Sequence, residues 1–182
     1  MPKGIYPRRV KRHAVTQPLD QSYRLIPLSQ NQNALVDASN FDWLSKWNWQ
    51  AWWCSDTKSF YAVRGETKDG KRIRVWMHLE ILNDRDAEQG DHKNHDTLDN
   101  RRDNIRPCSK VQNCWNRRMR SDNTSGYRGV SQRKYNGKWK ACITVHRKNI
   151  MLGQFDDPKV AALAYNEAAK KYHGEFASLN AI

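Results

Sequence analysis

Residues 90–106 read GDHKNHDTLDNRRDNIR. In this stretch Asp91 stands next to His92, so a carboxylate and an imidazole occupy adjacent positions of a short extended segment, where successive side chains point to opposite faces. One of the two can hold a divalent cation while the other deprotonates a water. Asn104 and, further on, Asn113 add two amides. Mg²⁺ prefers oxygen ligands, keeps several of its waters and needs only one or two protein oxygens. Asp91 and the amide oxygen of Asn113 meet that need, and Mn²⁺ would serve as well, because an oxygen-rich site with one His nearby does not choose sharply. Neutral His92, with an ordinary pKa near ~6.5, suits general-base work at neutral pH, and Asn104 would position rather than react. An Asp-His pair alone is most often a surface-loop feature, and Asn-rich basic loops are usually turns. The weight lies in the whole set at its spacing.

Asp91-His92, Leu98-Asp99-Asn100-Arg101, Asn104-Ile105-Arg106 and Gln112-Asn113 together resemble the HNH homing-type endonucleases of phages and mobile introns. That resemblance implies a ββα-metal module, a two-stranded hairpin followed by a helix. It also implies metal ligation by Asp91 and Asn113, general-base action by His92, and a role for Asn104 in holding the loop and orienting the His. Where the family carries a turn Gly this chain has His95, which must then take a left-handed backbone, a region in which His is enriched. The segments ALVD, YAVR and MH upstream are landmarks of similar phage proteins, and His78 in the last of them reads as a packed histidine close to the site.

Composition points to nucleic acid independently. The 182 residues carry a formal net charge of +13. Residues 101–154 hold fourteen Lys/Arg against two Asp, a net +12 in one stretch. Such a stripe binds polyanions by counterion release, and no apolar anchor accompanies it to suggest a membrane surface. Cys54, Cys108, Cys114 and Cys142 form no Cys-x₂-Cys pair, which argues against structural zinc and for reduced thiols. The N-terminus lacks the apolar core of a signal peptide, and no run of about 20 apolar residues occurs, so a soluble cytoplasmic protein is expected.

Residues 1–20, with five Lys/Arg between 3 and 13 and no acid there, read as a flexible basic arm. Residues 21–120 then hold a Trp-rich core followed by the nuclease-like module. Phe41, Trp43, Leu44 and Trp47 recur at steps of three and four, which predicts a short helix capped by Asp37 or Ser39, while Trp49 and Trp52-Trp53 fit an extended stretch equally well. SFYAVRGET and RIRVWMH read as two strands joined at Asp69-Gly70. The helical run SKVQNCWNRRMR follows, with a linker at 121–126.

Residues 127–182 predict three antiparallel strands, YRGVSQRK, KWKACITV and NIMLGQF, with turns at Asn136-Gly137 and His146-Arg147-Lys148. A helix follows, capped by Asp156 or Asp157, with Pro158 in its first turn and Gly174 just past its end. Steps of three and four put Ala161, Ala164, Tyr165, Ala168 and Tyr172 on the buried face, and the other side of the sheet is expected to expose Arg128, Arg133, Trp139 and several lysines. Tyr127-Arg128-Gly129-Val130, Trp139, Leu152-Gly153 with Phe155, and the Ala-rich helix followed by Leu179-Asn180 resemble the AP2/ERF DNA-binding domain. This implies base or sugar contacts from Arg128, Arg133 and Trp139, and phosphate contacts from Lys138, Lys140, Arg147 and Lys148, with Arg117 and Arg118 following the backbone.

The expected protein is therefore α+β: a ββα-metal nuclease module followed by a three-stranded antiparallel sheet packed on one helix. It would act on double-stranded DNA as a monomer that nicks one strand. Two other classes compete: a sequence-specific regulator on an inactive nuclease scaffold, and an RNA-binding or nucleoid protein held by charge alone.

Overall fold

The computed structural model describes residues 12–84 and 86–182. The chain is α+β with antiparallel sheets and divides into two compact units, residues 1–108 and 109–182. Residues 1–11 of the expected arm lie outside the described residues. Residues 12–20 depart from a free arm, because Gln17 exchanges two hydrogen bonds of 2.9 Å with the backbone of Leu25 and the Arg12 guanidinium donates to the Trp49 carbonyl at 2.8 Å.

In the first unit β1 (Tyr23–Pro27) and β2 (Asn33–Asp37) form a hairpin. Helix α1 (Ala38–Leu44) follows with Asp37, one of the two expected caps, at its N-cap position, and it ends before Trp47. The Asp37 carboxylate does not cap it, accepting instead from the Arg102 backbone N–H at 2.7 Å. β3 (Gln50–Cys54), β4 (Ser59–Lys68) and β5 (Lys71–Trp76) make a meander. Its second turn carries Asp69 and Gly70 at φ 51° and 72°, the left-handed pair that a two-residue hairpin loop demands. The expected strand RIRVWMH stops at Trp76, and Met77–Leu82 turns into helix α2, ended by Asn83 in the left-handed region. This difference follows from burial, since Met77, Ile81 and Leu82 join Ile26, Leu28, Val36, Leu44, Trp49, Ala51 and Ala62 in one core. β6 (Gln89–His92) and β7 (Ile105–Cys108) complete the unit as a hairpin.

The second unit opens with α3 (Lys110–Trp115). β8 (Val130–Gln132), β9 (Trp139–Val145) and β10 (Lys148–Phe155) then form a sheet in the order β10-β9-β8. Helix α4 (Pro158–His173) packs on it. Asp157 caps α4 by accepting from the Lys159 N–H at 2.7 Å, Pro158 stands in the first turn and Gly174 ends the helix at φ 56°. The buried face is rotated from the expected one. Ala161, Tyr165 and Ala168 are buried as read, but Ala162, Asn166, Ala169 and His173 join them while Tyr172 is exposed. His173 is drawn in by stacking on Trp115, with ring centroids 4.4 Å apart and planes 9° from parallel. That stack is also why the contact boundary falls after Cys108 rather than at 121–126: α3 packs within the C-terminal unit.

The four cysteines are unpaired. Among the described residues no helix is long and apolar enough to cross a membrane.

Candidate active site and nucleic-acid interface

Asp91 and His92 sit side by side on β6, both about 5 % exposed. Pairing with β7 places Asp91 opposite Arg106 and His92 opposite Ile105. The Arg106 guanidinium uses the register: its Nε and Nη2 both donate to Asp91 Oδ2, at 2.9 and 2.7 Å. A carboxylate this buried needs such a partner, because desolvating an unpaired charge is costly. Arg106 stands in the Asn104-Ile105-Arg106 triplet, but the connection 93–104 between β6 and β7 is too long for the sequence to show which residue it faces.

On the other face His92 Nε2 lies 3.3 Å from Asn100 Oδ1. The Asn100 amide nitrogen donates to the Leu98 carbonyl at 3.0 Å, so its oxygen is the acceptor and His92 Nε2 is the protonated nitrogen. The basic lone pair then belongs to Nδ1. Burial lowers the His92 pKa below its ordinary value, against the raising effect of Asn100 and of Asp91, Asp96 and Asp99, which keeps the imidazole neutral at neutral pH.

His78, at the start of α2, is the residue the sequence left as merely packed. Its ring centroid lies 4.8 Å from that of His92, and burial holds its pKa well below the usual histidine value, with the proximity of His92 adding to the effect. Gly90 makes room for it: a Cβ at residue 90 would fall 2.5 Å from His78 Cδ2.

Asn104 bonds the backbone of its loop at two points. Its Nδ2 donates to the Asp99 carbonyl at 2.7 Å and its Oδ1 accepts from the Asn94 N–H at 3.0 Å. With both amide atoms engaged on loop backbone, orienting His92 falls to Asn100, a correction to the expected role. His95 takes the left-handed backbone that the missing turn glycine demands, at φ 65°. The loop is also sutured to the core by Leu35, which donates to the Leu98 carbonyl at 2.8 Å and accepts from the Asn100 N–H at 2.7 Å. Asp99 receives both Arg101 Nε and Nη2, at 2.9 and 2.8 Å. Burial would raise the Asp99 pKa, but the Arg101 hydrogen bonds and charge outweigh it and hold the carboxyl low.

Asn113 lies half-buried on α3 in the second unit. Its neighbour Gln112 closes a capping box with Ser109, each side chain bonding the other's backbone N–H at 2.8 and 3.2 Å. No group of three or more His, Cys, Asp or Glu gathers among the described residues. A carboxylate such as Asp91 fits a hydrated hard cation such as Mg²⁺ or Mn²⁺, which needs only one or two protein oxygens.

In the second unit, strand pairing sorts the predicted DNA contacts. Ser131 faces Lys140 and Gln132 faces Trp139, while Arg133 donates its backbone N–H to Lys138 at 2.8 Å. Alternation therefore puts Arg133, Lys138 and Lys140 on the side of the sheet away from α4. Trp139 is not with them. It shares the face of Ala141 and Ile143 and packs beside Val130 and Ala161, so its expected place on the open face is corrected. Among the described residues Arg133 Nε is buried without a hydrogen-bond partner. Arg147, at φ 62° in the turn, and Lys148 are exposed, as are Arg117 and Arg118. Arg128 is half-buried: its guanidinium donates to the Arg117 carbonyl, and its own N–H donates to Asn180 Oδ1 at 2.6 Å. Asn180 in turn exchanges backbone hydrogen bonds with the Asn166 amide at 2.8 and 3.0 Å. Asn166 was missed in the sequence, since a polar residue on a helix gives no sign of facing inward.

No family model matches the chain. It is 48% identical over 56 residues to the ethylene-responsive transcription factor ERF024 of Arabidopsis thaliana, covering 30% of each chain. It is 41% identical over 76 residues to the dehydration-responsive element-binding protein 2D of the same plant, covering 40% of this chain and 36% of that one. The chain thus spans about a third of the length of these plant relatives. It is also 31% identical over 87 residues to Protein 3.8 of Escherichia phage T7, covering 48% of this chain and 71% of the phage protein.

Proposed function

The chain belongs to the family of Protein 3.8 of Escherichia phage T7, and from that premise we propose that it is a metal-dependent HNH-type DNA endonuclease targeted by an AP2/ERF-like DNA-binding module. The observation that carries the nuclease reading is the buried Asp91-His92 step on β6, with Arg106 on the carboxylate and Asn100 on the imidazole. The DNA-binding half is supported by the likeness to the plant factors and by a sheet face that carries Arg133, Lys138 and Lys140.

In this reading His92, neutral and held through Nε2, takes a proton from water at Nδ1. The water oxygen forms a bond to phosphorus as the bond to the 3′ oxygen breaks, and the departing 3′ oxygen takes a proton from solvent, leaving 5′-phosphate and 3′-hydroxyl ends. A divalent cation held by Asp91 would neutralise charge on the phosphate and the leaving oxygen. Arg106 fixes Asp91 by occupying one carboxylate oxygen, and Asn104 keeps the loop closed behind His92. One such site cuts one strand.

The second reading is a DNA-binding regulator on an inactive scaffold, which the likeness to the plant transcription factors favours. Supercoiled plasmid separates the two. Nicking by the wild type with Mg²⁺, lost with chelator and in His92→Ala while DNA affinity persists, supports the nuclease. Tight binding with no cutting by the wild type in Mg²⁺ or Mn²⁺ supports the regulator.

A further inference from the structure

The meander of the first unit has one face on the core and one face away from it. Ala51, Phe60, Ala62 and Val75 point to the core. Register assigns the opposite face, because Trp52 pairs with Tyr61, Val63 with Trp76, Gly65 with Arg74 and Thr67 with Arg72. Partners in an antiparallel ladder share a face. That face therefore carries Trp52, Tyr61, Trp76, Arg72 and Arg74 together, and no carboxylate among its strand residues Gln50, Cys54, Ser59, Val63, Gly65 and Thr67.

The rings are in contact edge to face: Trp52 with Trp76 at 5.2 Å and 87°, Tyr61 with Trp76 at 5.3 Å and 89°. The Arg74 guanidinium lies 4.3 Å over the Trp52 ring. Arg72 and Arg74 are exposed and the three rings are half-buried. Among the described residues none of the three rings belongs to the apolar core of the unit. The row does not end in solvent, since Tyr61 lies 6.1 Å from His92 and 6.0 Å from His78.

We propose that this face is a second DNA-contact surface, which takes the strand flanking the phosphate presented to His92. It rests on the DNA-cleaving reading of that site. Guanidiniums suit the phosphates, flat rings suit sugars and partly unstacked bases, and a face free of carboxylates that ends at the catalytic imidazole matches the substrate in charge and in place. In this arrangement the C-terminal sheet selects the sequence and the aromatic face seats the strand to be cut.

The test is binding of the full chain to a fluorescently labelled 30-base-pair random-sequence duplex in chelator, followed by anisotropy across a salt series. Arg72→Ala/Arg74→Ala is expected to lower the slope of log affinity against log salt by about one to two, as each lost phosphate contact removes about 0.9. Lys46→Ala/Lys159→Ala removes the same charge from other exposed places and is expected to leave the slope unchanged. Trp52→Ala is expected to weaken binding by about tenfold without changing the slope, with circular dichroism to show that it folds; if it does not, the arginine pair still decides. An unchanged slope in the arginine variant, or an equal fall in both double variants, overturns the proposal. Binding in chelator and nicking of plasmid in Mg²⁺ are separate readouts, so a wild type that binds through this face yet never nicks would refute the nuclease reading and leave the surface standing.

Discussion

Replacing Arg106 with Met leaves Asp91 inside the protein without its counter-charge, and the structure sets the size of the effect. Both side chains are about nine-tenths buried or more, so solvent cannot take over the lost contacts. Two hydrogen bonds to a charged group at 2.9 and 2.7 Å disappear, each worth about 1.5–3 kcal/mol. Removing one member of a buried ion pair typically costs about 3–5 kcal/mol. We therefore expect Arg106→Met to destabilise the first unit by about 4 kcal/mol, a large share of the ~5–15 kcal/mol that holds a domain together. Urea unfolding followed by tryptophan fluorescence reads this unit well, since Trp43, Trp47, Trp49, Trp52, Trp53 and Trp76 lie in it against Trp115 and Trp139 in the other. The double variant Asp91→Asn/Arg106→Met removes the orphaned charge and should be more stable than the sum of the two single losses predicts, by at least about 1 kcal/mol. If Arg106→Met costs less than about 1 kcal/mol, or if the two losses simply add, the ion pair is not what holds Asp91 in place. Added Mg²⁺ carries a further sign: it should stabilise Arg106→Met more than the wild type, because a freed carboxylate is the better ligand.

Two other perturbations test the framework around the sites. Gly129→Ala should destabilise the second unit by about 2–5 kcal/mol in thermal unfolding, since the position has φ 72° and a Cβ there would lie 2.2 Å from Tyr165 Cδ2 and 2.5 Å from the Cys142 carbonyl oxygen; a shift below about 1 kcal/mol would mean that the strand moves freely off α4. The second concerns pH: burial lowers the pKa of His78 in the first unit and of His173 in the second. Below about 6.5 the unfolded chain takes up protons that the folded one refuses, so stability is full above that pH and falls as pH drops through it. Urea midpoints at pH 7.5 and pH 5 should show the loss, with a smaller one in His78→Phe, whereas equal midpoints at the two pH values would show that these rings protonate in the folded state.

Much of the local structure could be read without coordinates because it depends on residues a few positions apart. Asp157, Pro158 and Gly174 bound α4 through backbone preferences that act within one turn, and Asp69-Gly70 and His95 supply left-handed positions where the chain must reverse. The adjacency of Asp91 and His92 on a strand is of the same kind, and so is the place of Asn104 in its loop. The second unit's three strands and helix were legible for the same reason, as alternation and turn residues recur over short spans.

What only the tertiary structure decided is which side chains meet across elements. His78 reaches His92 because α2 packs beside β6, and Asn100 rather than Asn104 meets the imidazole because Leu35 ties the loop to β2. Trp139 turned toward α4 through its register with Ala141 and Ile143, and Asn166 faced inward to hold Asn180. The open face of the β3–β5 meander was hidden too, since a Trp-rich segment reads as core until pairing shows which rings the core leaves out. Turn and cap preferences are energies of one residue's backbone and travel with its name. Contacts across the fold depend on register and on which face each element buries, and these are settled by the packing of the whole unit at once.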